Sequence, residues 1–311
     1  MGELCSWEDM QGGHTSAGQK RMSKRKLVAM NVTDIPAKKP RLEGNNSEIH
    51  LQFLGGQNSD IAVISLNRPE VKNALNQRMV QTLLQTVTDL HHRPGLRVVI
   101  LRSHTKGIFC AGADLKERQS MSPDEVLVFL HTLRAAVRAL EELPVPVLAA
   151  LDGSALGGGL ELALGCDLRV GAGGAWLGLP EVRLGVIPGA GGTQRLGRLV
   201  GSARARDMVL TARCLGAEEA HTWGLLNYCV EQEEGGEAAY QRALLLAKDL
   251  LGSAPLALAM AKVALREGEG QELEDGLEVE AVCYHALLGT RDREEGLRAF
   301  REKRTPLFVG E

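Results

Sequence analysis

The period of the apolar residues changes several times along this chain, and each change marks an element. Residues 1–47 hold no sustained period. They mix Ser, Gly, Asn, Gln and Pro with charged residues, so a tail that does not pack is expected there. From Glu48 the pattern becomes regular. Ile49, Leu51 and Phe53 alternate with polar residues, Gly55-Gly56-Gln57-Asn58 reads as a turn, and Ile61 to Leu66 is a second apolar run, which together predict a hairpin. Met79, Val80, Leu83, Leu84, Val87 and Leu90 recur at helical spacing and predict an amphipathic helix over 76–91. The short run Leu96 to Leu101 is nearly all apolar, as a strand covered on both faces requires.

Ser122-Pro123-Asp124-Glu125 has the form of a capping box with proline at the first helical position, opening a helix that ends near Glu142. Val145 to Leu151 is a further buried strand, with Pro144 and Pro146 at its start. Leu160 to Leu164 reads as helix, Leu168 to Val170 as strand, and Thr193 to about Leu210 as helix interrupted at Gly201. Beyond Glu237 nearly everything reads as helix, broken at Gly252-Ser253-Ala254-Pro255 and at Gly268 to Gly270. Alternating strands and helices followed by helices alone predict an α/β fold with parallel pairing and right-handed crossovers. The expected organisation is a basic tail over 1–47, an α/β core over 48–250 and a helical module over 251–311. No internal repeat has a clean period.

Charge and cysteine usage narrow the function classes. The 311 residues carry 36 basic and 39 acidic side chains, a balance with no general pull toward nucleic acid or anionic lipid. The tail is the exception, with eight basic against five acidic residues, grouped at Lys20-Arg21, Lys24-Arg25-Lys26 and Lys38-Lys39-Pro40-Arg41. Aromatics make up only 4%, which argues against base stacking, and the helix over 76–91 offers Arg78 and no lysine. Leu143 to Leu151 is the best apolar run, nine residues with two prolines, so no membrane span is expected. The cysteines at 5, 110, 166, 214, 229 and 283 form no C-x-x-C and the eight histidines are scattered. Neither a disulfide framework nor a metal site is expected.

Three glycine-bearing segments carry the candidate chemistry: Phe109 to Asp114, Ala155 to Glu161, and Pro188 to Arg195. None is followed by the Lys-Ser/Thr of a phosphate-binding loop, and none is G-x-G-x-x-G. Gly153-Ser154 lacks the second glycine of a nucleophile elbow. Gly157-Gly158-Gly159 at a strand-to-helix junction lets backbone N–H groups approach a ligand with no Cβ in the way, and the helix dipole points to the same place. That suits a developing oxyanion. Glu161, among Leu160, Leu162, Ala163 and Leu164, is either the solvent-facing position of an amphipathic helix or a buried acid/base, and Glu181 by itself reads as an ordinary loop glutamate.

Four segments taken together carry a resemblance. Asn67-Arg68-Pro69 with Asn73-Ala74-Leu75, Ile108 to Arg118, Ala155 to Asp167 and Pro180 to Leu196 resemble the enoyl-CoA hydratase/isomerase family, the crotonase superfamily. The likeness runs from about Glu48 to the end and includes Ala299 to Arg304. It implies a crotonase-like spiral of ββα units with a C-terminal helical trimerisation module, commonly as a homo-trimer or a homo-hexamer. It implies an oxyanion hole from the N–H groups of Ala111 and Gly158, and Glu161 and Glu181 as the two catalytic carboxylates. Lys72 and Ala74, with Ala111, Gly112, Ala113, Asp114 and Leu115, would line the coenzyme A path, and Phe300 and Lys303 would reach its nucleotide end. Coenzyme A is part of the acyl-CoA thioester substrate, so no separate cofactor and no metal is implied.

Two glutamates at these positions point to hydration of a short or branched 2-enoyl-CoA in fatty-acid or branched amino-acid catabolism. The alternative is a catalytically weak acyl-CoA-binding scaffold with an interaction role, RNA or protein, set by the tail. The resemblance implies a mitochondrial setting. Glu3, Glu8 and Asp9 depart from the acid-poor pattern of a transit peptide, and the basic clusters keep a cytoplasmic or nuclear address as the alternative.

Overall fold

The alternation of Ile49, Leu51 and Phe53 builds β1 (Ile49–Leu54), which pairs antiparallel with β2 (Ile61–Leu66) in the register Ile49 to Leu66. The computed structural model describes residues 48–54 and 60–311. The expected tail over 1–47 and the turn Gly55 to Asn58 lie outside the described residues. The predicted amphipathic helix is α1 (Gln77–His91), started by Asn76, whose side chain accepts the Met79 N–H at 2.7 Å. Its buried face is Met79, Val80, Leu83, Thr86, Val87 and Leu90. After it come β3 (Val98–Ser103), the short β4 (Ile108–Cys110), α2 (Leu115–Ser120) and α3 (Pro123–Glu142). Both halves of the capping box at Ser122 and Glu125 are formed.

Then follow β5 (Val147–Leu151), β6 (Ser154–Leu156), α4 (Gly158–Leu164), β7 (Leu168–Ala172) and β8 (Trp176–Gly178). A 3₁₀ turn at Glu181–Leu184 leads to α5 (Gly192–Val200), α6 (Ser202–Thr211), β9 (Cys214–Gly216), α7 (Ala217–Thr222) and β10 (Tyr228–Val230). Four helices close the chain: α8 (Ala238–Leu251), α9 (Pro255–Gly268), α10 (Leu273–His285) and α11 (Arg291–Glu302).

Two sheets result. The larger has the order β1-β2-β3-β5-β7-β10 and is parallel except at β1; the smaller has the order β4-β6-β8-β9 and is parallel except at β9. Successive long and short strands, β3 then β4, β5 then β6, β7 then β8, place one strand in each sheet before a helix returns. This is the spiral of ββα units that the resemblance implies. Because side chains alternate along a strand, Ile61, Val63, Val98, Ile100, Leu148 and Ala150 face Ala239, Tyr240, Ala243 and Leu246 of α8. Ala62, Ile64, Leu66, Val99, Leu101 and Ala149 point to the other side, into the core shared with α1, α3 and α4. Both faces are dry, which is why these strands read as continuous apolar runs.

Departures from the sequence reading have local causes. The strand expected at Leu96 begins at Val98, because the N–H groups of Arg97 and Val98 both turn to the Asp60 carbonyl. The strand expected at Val145 begins at Val147, after Pro146, which has no N–H to give. The whole second sheet consists of three-residue strands, too short to show a period of two. Residues 286–290 add a helix break that the sequence reading did not mark, although Gly289 lies within it. Lys262 of α9 is buried and donates to Asp167 at 2.7 Å and to the Val145 carbonyl at 3.0 Å, tying that helix to the start of β5. Removing Asp167 would leave the Lys262 ammonium buried without its countercharge, a destabilising change. Among the described residues no single helix is long and apolar enough to cross a membrane.

Candidate active site

Two strand-to-helix connections from the small sheet, β4 to α2 and β6 to α4, run side by side. In the first, Gly112 has φ +95°, and a Cβ there would stand 2.9 Å from the Leu156 carbonyl and 3.5 Å from the Gly158 nitrogen. Only glycine lets the two backbones meet so closely. Leu75 donates its N–H to the Gly112 carbonyl at 2.7 Å and accepts the Asp114 N–H at 3.0 Å, forming a parallel bridge with Ala113. That bridge turns the Ala113 N–H away from Leu75. The Ala113 nitrogen lies 4.0 Å from where a Cβ on Gly158 would be. Gly158 opens α4, so its N–H has no intrahelical acceptor, and among the described residues no group accepts the N–H of Ala113 or of Gly158.

The expected donor Ala111 is corrected by this geometry. Its N–H already donates to the Lys72 carbonyl at 3.1 Å, so it is not free to grip a ligand oxygen. Gly112 between them has φ +95°, which breaks the extended alternation, and the amide beside Gly158 is that of Ala113.

Glu161 lies one turn into α4 and is 2% exposed, which settles the choice left open by the sequence in favour of burial. Its Oε1 accepts two N–H groups, from Ala190 and Gly192, each at 2.7 Å. Burial raises the carboxyl above its ordinary range, while those two N–H groups and the charges of Arg195 and Arg134 pull it back. No hydrogen bond from a described residue reaches Oε2. Glu181 follows Pro180 and opens the 3₁₀ turn after β8. Its Oε1 lies 3.1 Å from where a Cβ on Gly157 would be, and Gly157 in turn accepts the Glu161 N–H at 3.0 Å. The Glu181 Oε2 is buried without a hydrogen-bond partner. Burial, then the charge of Glu161, push this carboxyl up to about 7. Two carboxyls of different surroundings thus flank one glycine turn, beside two unused N–H groups. Such a set can polarise a carbonyl and move protons.

Comparison with known proteins bears on what this arrangement is. The sequence pattern of the enoyl-CoA hydratase/isomerase family matches residues 56–311. The human mitochondrial enoyl-CoA hydratase domain-containing protein 2 is 50% identical over 264 residues, covering 85% of this chain and 90% of its own length. This chain belongs to the enoyl-CoA hydratase/isomerase family. Human mitochondrial methylglutaconyl-CoA hydratase is 46% identical over 85% of this chain and 78% of its own length. The crystal structure of enoyl-CoA hydratase from Bacillus anthracis superposes with a TM-score of 0.81 at 40% identity, covering 85% of this chain and all of that one.

The other expected residues of this hydratase/isomerase chain are placed as follows. Lys72 is exposed with φ +55° and caps the 3₁₀ turn Pro69–Val71. Ala74 gives its carbonyl to Arg68. Asp114 caps α2 by accepting from Lys116 and Glu117 and also pairs with Arg68 at 3.2 Å, so it serves this loop's structure. Leu115 is exposed at the start of α2. Phe300 is 84% exposed on α11 and Lys303 is its exposed cap; no hydrogen bond or ion pair joins either to Glu161, Glu181 or the 111–115 loop.

Three contributors carried no assigned role in the sequence reading. Asn73, buried at φ +54°, donates to Ser103 at 2.7 Å and to the Phe109 carbonyl at 2.9 Å, and accepts from Arg68 N–H at 2.7 Å. It fixes the 68–75 turn against β3 and β4. Ala190 and Gly192 hold Glu161, and the signal for them was present in the run Gly189-Ala190-Gly191-Gly192 ahead of a helix.

Proposed function

We propose that this protein hydrates a short or branched 2-enoyl-CoA, adding water across the 2,3 double bond. The observation that carries the reading is one buried carboxyl and one half-buried carboxyl in unlike environments, beside two N–H groups with no acceptor among the described residues. In this reading the N–H groups of Ala113 and Gly158 hold the thioester oxygen. Polarisation makes Cβ electrophilic, and the same two donors stabilise the enolate as charge reaches the oxygen. Glu161, whose charged form the two N–H hydrogen bonds favour, takes a proton from water as hydroxyl bonds to Cβ. Glu181, pushed up to about 7, keeps a substantial protonated fraction at neutral pH, and that form delivers a proton to Cα. Atoms balance: one water is added, its hydroxyl on Cβ and a proton on Cα, and the cycle closes when Glu161 releases the proton it took and Glu181 regains one through solvent.

The reading extends to its setting. The two human relatives named above act on coenzyme A esters by their names and carry a mitochondrial designation, which supports catabolism of fatty acids or branched amino acids in that compartment. Lining of the coenzyme A path by Lys72, Ala74 and residues 112–115, and a trimer or hexamer in which Phe300 and Lys303 meet a neighbour's nucleotide, belong to the same proposal. The substrate supplies the coenzyme A, and no other cofactor is needed. The test is hydration of crotonyl-CoA and of branched 2-enoyl-CoAs by purified protein, followed by loss of the conjugated thioester absorbance. Tight acyl-CoA binding with no turnover of any of them would instead support the scaffold alternative.

A further inference from the structure

The turn that holds Glu161 is itself gripped from behind. Ala190 uses both of its peptide groups: its N–H points at Glu161 Oε1, and its carbonyl accepts from Arg195 Nη1 at 3.1 Å. Gly191 has φ +109°, and a Cβ there would lie 2.0 Å from the same Nη1, so the guanidinium lies directly across the turn. Arg195 is fixed in its turn. Its Nε and Nη2 make a two-point contact with Glu141 of α3, at 3.1 Å and 2.7 Å. Such a planar fork fixes orientation as well as distance. One residue along, Arg134 of α3 donates through Nε to the Gly189 carbonyl. Helix α3 therefore anchors the Gly189–Gly192 turn at two consecutive carbonyls, one directly and one through Arg195.

We propose that Arg195 is a positioning residue for the reaction: pinned by Glu141, it orients the Ala190–Gly192 turn so that two N–H groups hold Oε1 of Glu161 and leave Oε2 facing the water. The inference rests on the reading of Glu161 as the proton acceptor. A lysine in its place has one ammonium to serve Glu141 and the Ala190 carbonyl, which the fork serves with three nitrogens. The groups that face Glu161 are Glu181 from the 3₁₀ turn, Arg195 from α5 and Arg134 from α3, together with the two N–H groups. Losing Arg195 removes one of the positive charges and loosens the N–H pair, and both changes favour the protonated form of Glu161.

The experiment compares Arg195→Gln, Arg195→Lys and Glu141→Gln in the full chain. We expect Arg195→Gln to lower kcat about 100-fold, the scale of a misplaced reacting group, with the dissociation constant of a saturated acyl-CoA changed by less than about threefold. Its acid limb in the kcat–pH profile moves to higher pH. Arg195→Lys keeps the charge and loses the fork, so kcat falls while that limb stays near the wild-type position. Glu141→Gln falls between, and combined with Arg195→Gln it adds little, because the two act as one unit. The protonation of Glu161 is read apart from turnover by ¹³C-glutamate difference infrared spectroscopy, with Glu161→Gln as reference. A folded Arg195→Gln protein with wild-type kcat and an unmoved Glu161 titration overturns the proposal. So does a loss confined to acyl-CoA binding. If the wild-type protein turns over no enoyl-CoA and the Glu161 titration still moves in Arg195→Gln, hydration fails and the positioning stands. If Arg195→Gln does not fold, Arg195→Lys and Glu141→Gln carry the same two readouts.

Discussion

Glu181→Gln is expected to make the protein more stable at pH 8 while removing its activity. Glu181 is held in a place that disfavours its charge: Oε2 is buried without a partner, and the neighbouring Glu161 adds repulsion. The carboxyl rises from 4.5 to about 7 on folding, so the native state binds its proton more tightly than the unfolded chain does. The sign follows from linkage. Below about pH 4.5 the group is protonated in both states and costs nothing; as pH rises toward 7 the native protein is progressively destabilised, and above 7 the loss is complete. A rise of that size corresponds to at most about 3.4 kcal/mol at about 1.36 kcal/mol per pH unit. Glu181 retains contact with solvent, which screens the effect, and about 1–2 kcal/mol remains. Glutamine has the same shape and no charge to desolvate. The assay is urea unfolding of both proteins at pH 5 and pH 8 at one fixed protein concentration, since any assembly makes stability concentration-dependent. We expect the midpoint of Glu181→Gln to exceed that of the wild type at pH 8 and the gap to shrink at pH 5. An equal gap at both pH values, or a less stable variant at pH 8, would refute the reasoning. Turnover of the same variant should fall about 10²–10⁴-fold, the usual worth of a proton-transfer group.

Further tests follow from the same geometry. If Glu181 delivers the proton to Cα, kcat declines as pH rises above about 7, and a profile flat to pH 9 removes it from that role. Gly112→Ala puts a side chain 2.9 Å from the Leu156 carbonyl at φ +95°, so the variant should lose turnover together with at least about 1 kcal/mol of stability, read by thermal unfolding. Asp114→Ala removes both the α2 cap and the Arg68 pairing, and is expected to lower stability by about 1–2 kcal/mol in urea unfolding. Deleting residues 1–47, which show no apolar period, should leave the unfolding midpoint and kcat unchanged; a shift in either shows that the tail joins the fold.

The sequence by itself determined the elements whose length allows a period to show. The hairpin, α1, the capped α3 and the buried strands β3 and β5 follow from side-chain spacing and capping chemistry, which act within one or two turns of chain. It also singled out the glycine segments that carry the site, because a run of residues without Cβ has few other uses. The tertiary structure alone decided what depends on distant partners. The second sheet consists of three-residue strands that exist only because each finds a neighbour across the spiral. Whether Glu161 faced water or the core was undecidable from Leu160 to Leu164; the answer came from the amides of Ala190 and Gly192, about thirty residues away. The exchange of Ala111 for Ala113 has the same cause. Which amide in Ala111-Gly112-Ala113 is free depends on which carbonyl the Lys72 turn brings to it, and hydrogen bonds between distant segments leave no spacing in the chain to be read.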